Sequence, residues 1–219
     1  MKFIMSYSGG KDSTLALDRM IREGHTCVGI LVLVSKRGKY SYLHIFSRET
    51  LDQFSKSLGV LLIPVPSVSL HDSKSVESAI ENAKDLYGAE AVCFGDIDAE
   101  EARSWNESVA VKLGFKAVFP LWKEDRRKLL DEFFDRGYTC LFKTIDNTLL
   151  PEELLGKPLT RECIPLFEEN GVDICGENGE YHTIVTDGPV FKKPVEFRYN
   201  RLFRKGVYSS LIIDDTYTE

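Results

Sequence analysis

Short apolar runs alternate with longer segments whose apolar residues recur every three or four positions, and this rhythm holds through the first 120 residues. Lys2 to Met5 reads as a strand and Asp12 to Glu23 as an amphipathic helix. Cys27 to Val34 is apolar at almost every position, the pattern of a strand buried on both faces. A polar loop, Ser35 to Tyr42, precedes a helix from Ser47 to Leu58, a strand from Val60 to Val65, a helix from Ser73 to Tyr87 and a strand from Ala91 to Phe94. A helix from about Ala99 to Leu113 and a short strand, Ala117 to Phe119, complete the series. Repeated units of this kind predict right-handed crossovers and an α/β, Rossmann-like parallel sheet with helices on both faces. Ligands of such sheets lie at the carboxyl ends of the strands.

The rhythm changes after Pro120. An amphipathic helix (Asp125 to Arg136) and an apolar strand (Thr139 to Lys143) lead into a Pro/Gly-punctuated region that ends in β-rich sequence at Glu180 to Thr186, Pro194 to Tyr199 and Val207 to Ile213. The expectation is two domains, residues 1–119 and a smaller α/β domain over residues 120–219. No internal repeat or low-complexity tract interrupts them.

Composition narrows the class. A chain of 219 residues, 43% hydrophobic, can bury a substantial core. Its net charge of −6 gives a whole-chain field that does not favour nucleic acid. No apolar run approaches the length of a membrane span, and the N-terminus enters a glycine-rich turn too soon for a signal peptide, so a cytoplasmic location is expected. The five cysteines (Cys27, Cys93, Cys140, Cys163, Cys175) are odd in number, widely spaced and without a CxxC pair, which argues against a disulfide framework or structural zinc.

The chemistry concentrates in two places. Ser6-Tyr7-Ser8-Gly9-Gly10-Lys11-Asp12-Ser13 joins the first strand directly to the first helix. Gly9 and Gly10 let the backbone approach a ligand, the helix start presents free N–H groups with the positive end of its dipole, and Lys11, Ser8 and Ser13 add donors: a turn suited to phosphate. The order is neither a Walker A loop nor GxGxxG. The second place is Asp173-Ile174-Cys175-Gly176-Glu177-Asn178-Gly179-Glu180-Tyr181-His182-Thr183, which packs three carboxylates, an imidazole, a thiol and a phenol around two glycines. Its plain alternative is a β-hairpin turn with Asn178-Gly179 as a type I′ pair.

SGGKDS resembles the PP-loop of the ATP pyrophosphatase superfamily. Together with FGDI (Phe94 to Ile97), PLW (Pro120 to Trp122), LLG (Leu154 to Gly156) and GENGEYHT (Gly176 to Thr183), it follows the order seen in the diphthine–ammonia ligase family, and the similarity runs over nearly the whole chain. The resemblance implies an adenine nucleotide α-hydrolase domain with a smaller C-terminal domain that helps to form the substrate pocket. It also implies an ATP-dependent, AMP-forming amidation: a carboxylate, on a small molecule or a protein, attacks the α-phosphate of ATP, pyrophosphate leaves, and ammonia opens the acyl adenylate. ATP and Mg2+ are the expected cofactors, and a homodimer is compatible with the chain.

On this reading Ser6, Ser8, Gly9, Gly10, Lys11, Asp12, Ser13, Gly95 and Asp96 hold the nucleotide. Lys11 stabilises the departing pyrophosphate, Asp12 either caps the helix or meets metal, and Asp96 is the metal or ribose candidate, with an ordinary turn aspartate as its alternative. Glu177 and Glu180 are expected on the acyl-substrate side with Asn178 and Tyr181. His182 is a proton acceptor or a structural histidine. Arg103 and Glu107 match a basic–acidic pair of the family's helix, while Trp105 stands at a second basic position. His182 replaces a family Glu. Both departures look like the bacterial branch of the family, where diphthamide is not made, so the reaction class transfers better than the substrate. His25, His44 and His71 read as structural.

Two rivals make different demands. A tRNA-modifying PP-loop enzyme would need a basic RNA surface, for which only Phe191 to Lys205 offers a run, more simply read as the solvated face of edge strands. A nucleotide-sensing protein would bind ATP without turnover.

Overall fold

The computed structural model describes residues 1–36, 40–41, 45–67 and 72–214, so His44, His71 and part of the polar loop between residues 35 and 42 lie outside the described residues. Five strands, β1 (Lys2–Ser6), β2 (Thr26–Ser35), β3 (Leu61–Ser67), β4 (Ala91–Cys93) and β5 (Lys116–Val118), pair in parallel in the order β3-β2-β1-β4-β5. Four helices connect and follow them: α1 (Lys11–Arg22), α2 (Arg48–Leu58), α3 (Ser73–Tyr87) and α4 (Glu100–Lys112). The sheet is doubly wound. Leu15, Leu17, Leu51 and Phe54 pack α1 and α2 on one face, whereas Val76, Ile80, Val109 and Ala110 pack α3 and α4 on the other. Apolar side chains therefore sit on both faces of β1 and β2, the burial their near-continuous apolar runs call for.

The helix boundaries have local causes. Ser47 accepts the Thr50 N–H at 3.1 Å to start α2, and Asp72 accepts the Ser75 N–H at 3.3 Å to start α3. The loop before α1 carries one glycine with a specific task. Gly9 has φ +82°, and a Cβ there would come within 2.8 Å of the Phe46 ring, so both conformation and space demand glycine.

The C-terminal part is an antiparallel sheet of β6 (Thr139–Asp146), β7 (Tyr181–Asp187), β8 (Arg198–Lys205) and β9 (Tyr208–Asp214) in the order β7-β6-β9-β8. Helix α5 (Arg126–Asp135) precedes it, and a short helix α6 (Ile164–Glu169) lies between β6 and β7. The strand before the last differs most from the expectation, and β6 runs three residues past its expected end at Lys143. Pro194 to Phe197 is irregular, and the strand instead runs through the basic residues from Arg198 to Lys205. Val195 is buried and donates its N–H to Thr186 O at 2.7 Å, so its apolar character reflects packing of a loop.

Helix α1 links the two sheets. It packs on β1 and β2 and also on β7. Buried Asp18 accepts Arg136 at 3.0 Å, and Arg19 binds Glu124 and Glu132, so α1 is tied to the start and end of α5. The main apolar core is continuous from Phe3 and Met5 through Leu129 and Phe133 to Ile184 and Ile213.

Candidate functional site

The order of the parallel sheet reverses at β1 and β4: from β1 the chain winds outward to β2 and β3, then returns to place β4 on β1's other side. A crevice opens outside the carboxyl ends of strands at such a switch point. The turn after β1 is SGGKDS and the turn after β4 holds Gly95 and Asp96, so both lie there. They approach closely. A Cβ on Gly95 would sit 2.8 Å from the Ser13 N and 2.9 Å from its Cα, so glycine is what lets the β4 turn touch the first turn of α1.

A cavity of about 490 Å³ fills this crevice. One end is apolar, formed by Leu31, Val32 and Leu33 of β2, Val76 and Ile80 of α3, and Trp105 and Val109 of α4. The middle is formed by Ser6, Ser8, Gly10, Lys11, Asp12 and Ser13, with Gly95 and Asp96 opposite. The far end is formed by Cys175, Gly176, Glu177, Gly179, Tyr181, His182 and Thr183. An apolar recess leading to a helix N-terminus matches the needs of a base followed by phosphates.

Backbone bonds fasten the two motifs together. The Lys11 N–H donates to Thr183 Oγ1 at 3.1 Å, and the Val185 N–H donates to Gly9 O at 2.9 Å, so the phosphate-type loop adds to the free edge of β7. Gly10, the N-cap of α1, offers no side-chain acceptor, which leaves the N–H groups of Asp12 and Ser13 for a ligand. Lys11 is 4% exposed, and its ammonium donates to both oxygens of Asp12 and to the Cys175 carbonyl, with the Tyr181 ring 5.7 Å away. It thus reaches toward the GENGEYHT loop.

The acidic groups have distinct roles. Burial pushes the Glu177 carboxyl up to about 7, with help from the Asp12, Asp173 and Asp98 carboxylates and opposition from Lys11. Burial also raises Asp96 against the hydrogen bond from Asn106 Nδ2 at 3.1 Å. Glu180 is 5% exposed and accepts the Asp173 N–H, the Asn178 N–H and Asn178 Nδ2, each at 3.0 Å. Those hydrogen bonds, which outweigh burial, hold its pKa below the ordinary value and tie the loop into shape. Burial lowers the His182 pKa below its ordinary value, and the ammonium groups of Lys11 and Lys143 lower it further. Burial pushes the Cys175 thiol up to about 12, so it stays protonated and donates to Arg126 O at 3.4 Å.

Of the expected site residues, Gly9 packs on Phe46 and Phe54, and Asn178 and Glu180 bind each other, outside the cavity wall. Arg103 and Glu107 are not brought into the cavity either: the Arg103 guanidinium lies over Trp122 at 4.3 Å and Phe119 at 4.9 Å. Trp105 and Asn106 from the same helix line it instead. Sequence reasoning also missed Arg126, which bridges Asp98 at 2.7 Å and Asp173 at 2.6 Å and so links the turn after β4 to the C-terminal loop. Among the described residues no cluster of three or more His, Cys, Asp or Glu could hold a metal by itself, and no helix is long and apolar enough to cross a membrane.

A doubly wound sheet with a phosphate-type loop at its switch point, completed by a second loop from a separate antiparallel sheet, defines a nucleotide-binding α/β protein with a composite site. The family models agree with one assignment along the chain: the diphthamide synthase N-terminal domain matches residues 1–117 and the diphthamide synthase C-terminal domain residues 125–215. The chain belongs to the diphthamide synthase family, an ATP-binding PP-loop family whose curated members here are ligases. It is 28% identical to the diphthine–ammonia ligase of Danio rerio, over 89% of this chain and 86% of that one. It is 27% identical to that of Homo sapiens, over 89% and 82%, and 28% identical to that of Schizosaccharomyces pombe, of which it spans 36%. A solved structure of a predicted subunit of tRNA methyltransferase from Methanocaldococcus jannaschii aligns at 16% identity with a TM-score of 0.47, over 89% of this chain and 100% of that one, a likeness too slight to build on.

Proposed function

We propose that the chain is an ATP-dependent ligase that adenylates a carboxylate and transfers the acyl group to ammonia. The observation that carries this reading is the single cavity in which SGGKDS and GENGEYHT are hydrogen-bonded to one another, so that a nucleotide and a second substrate would meet between them. The apolar recess takes the adenine, and the Asp12 and Ser13 N–H groups with the Ser8 and Ser13 hydroxyls take the phosphates. A carboxylate oxygen attacks the α-phosphorus, and the bond to the bridging oxygen of pyrophosphate breaks. Donors fixed at a helix N-terminus stabilise the charge that develops on pyrophosphate without reorganising.

Ammonia then attacks the acyl carbon, AMP leaves with the acyl oxygen's electron pair, and the nitrogen loses a proton. Glu177, with its pKa near 7, accepts that proton at neutral pH. Two carboxylates beside the phosphate loop, Asp12 and Asp96, suit Mg2+, which commonly binds one or two carboxylates plus substrate phosphates. Bound there, the ion would neutralise phosphate charge. Residues 1–119 would then supply the nucleotide half of the site and residues 120–219 the acyl half.

The names of the relatives make diphthine the first carboxylate to try, and the family resemblance implies that it is a modified histidine of translation elongation factor 2. The test is product analysis with ATP, Mg2+, ammonium and either diphthine-bearing elongation factor 2 or a panel of small carboxylic acids. AMP and pyrophosphate appearing only when acyl substrate is present support the ligase. ADP with inorganic phosphate contradicts it, and ATP binding without turnover across the panel favours a nucleotide sensor.

A further inference from the structure

Helix α4 places one acceptor-bearing side chain on the wall of the cavity. Ala102, Trp105, Asn106 and Val109 all line it, and their spacing of three and four puts them on one face of the helix. The other three are apolar or aromatic and match the recess they border. Asn106 alone among them offers a hydrogen-bond acceptor. Packing does not account for it, because an aliphatic residue would suit a wall shared with Val76, Ile80 and Val109 better.

The bond to Asp96 fixes how this amide lies. A carboxylate accepts and does not donate, so the 3.1 Å contact with Asp96 Oδ2 assigns Nδ2 to the turn after β4. Oδ1 and the second Nδ2 proton are left for another partner. Among the described residues Asn106 makes no other side-chain hydrogen bond, and its Oδ1 is not sealed from solvent, so it opens to the cavity that the residue lines. Its place along that cavity is set from both sides. Asp96 follows Gly95, which touches the first turn of α1 at Ser13, so the bonded pair borders the phosphate-type loop. Trp105 and Val109, on the same helix face, belong to the apolar recess. Asn106 stands where the one gives way to the other.

We propose that Asn106 binds a ribose hydroxyl of the nucleotide through its Oδ1. The inference rests on the nucleotide half of the ligase reading and adds the residue that reads the sugar. With the base in the apolar recess and the phosphates at the Asp12 and Ser13 N–H groups, the sugar spans the boundary that Asn106 occupies. A hydroxyl both donates and accepts, which suits an amide with one acceptor and one proton to offer. A deoxyribose would cover Oδ1 without giving it a donor, so the site should prefer ribonucleotides.

The experiment is calorimetry with ATP, 2′-deoxyATP and 3′-deoxyATP, each with Mg2+, on wild type and Asn106→Ala. Wild type should bind ATP about 10-fold or more tightly than at least one of the two deoxy analogues. Asn106→Ala should weaken ATP by about the same factor and erase that preference. Equal affinity of wild type for all three nucleotides overturns the proposal, and this comparison needs no variant to fold. A preference that survives in Asn106→Ala, with ATP and the analogue weakened alike, also overturns it, because Asn106 would then be only a positioning residue for Asp96. If wild type binds no ATP, the nucleotide reading fails and the proposal with it. If wild type binds ATP but turns over no carboxylate, the ligase reading alone fails, and the comparison of the three nucleotides still decides for or against Asn106.

Discussion

The backbone N–H of Lys11 donates to the hydroxyl of Thr183 at 3.1 Å, joining the first residue of α1 to the third of β7 across 172 positions of sequence. The phosphate-type loop is therefore held open by the C-terminal sheet. The Lys11 side chain extends the same connection to Cys175 O. Replacing Lys11 with Met leaves Asp12 without its partner and the Cys175 carbonyl without its donor. Because Asp12 is 28% exposed, the cost is about 2–3 kcal/mol, below that of a fully buried pair. Thermal denaturation with and without ATP checks this: the variant should melt lower even without nucleotide. A melting temperature equal to wild type, with only ATP affinity reduced, would make Lys11 a phosphate ligand and not a strap.

Glu180 and Glu177 should separate cleanly. Glu180→Ala strips the loop of the acceptor for three donors and should destabilise the protein by about 1–3 kcal/mol. Glu177→Gln keeps shape and relieves acid crowding, so it should fold as well as wild type while losing about 100-fold or more in ammonia-dependent turnover. Denaturant melts beside steady-state rates for both variants decide it. Reversed phenotypes would exchange their roles.

The same carboxyl predicts a pH dependence of stability in the nucleotide-free protein. Its pKa is raised from 4.5 to about 7, so the native state holds a proton that the unfolded chain has lost. Stability from this group is greatest below pH 4.5 and falls as pH rises through the window up to 7. Glu177→Gln should flatten that fall. Urea midpoints at about pH 5 and pH 7.5 for wild type and variant measure it, and parallel slopes would remove Glu177 from the acid cluster.

Much of this was legible in the sequence because buried parallel strands are written as apolar runs, and β1 to β4 are such runs. The bounds of the edge strand β8 were not. Arg198, Arg204 and Lys205 mask its alternation, while buried Val195 and half-buried Phe197 gave strand-like sequence to an irregular segment. β6 runs on to Asp146 because the bulge at Lys143 breaks the period of two only locally. The six residues of α6 are too few to show a helical period. At the site, loop chemistry could be read from SGGKDS and GENGEYHT. Which carboxylate faces the cavity could not, since Glu177 and Glu180 differ only in how a turn folds. The Asp98–Arg126–Asp173 bridge joins three distant segments and leaves no local motif.

In the proposed reaction a carboxylate and ATP react directly between the two loops. Substrate carrying 18O in its carboxylate, turned over with ATP, Mg2+ and ammonium, tests it by 31P NMR of the products. The expected products are AMP bearing one 18O on phosphorus and unlabelled pyrophosphate, because the acyl oxygen that attacked the α-phosphorus leaves with AMP. Label in inorganic phosphate beside ADP would show attack on the γ-phosphorus, and unlabelled AMP would show hydrolysis without acyl transfer. Either result would contradict direct attack of the substrate carboxylate on the α-phosphorus of ATP.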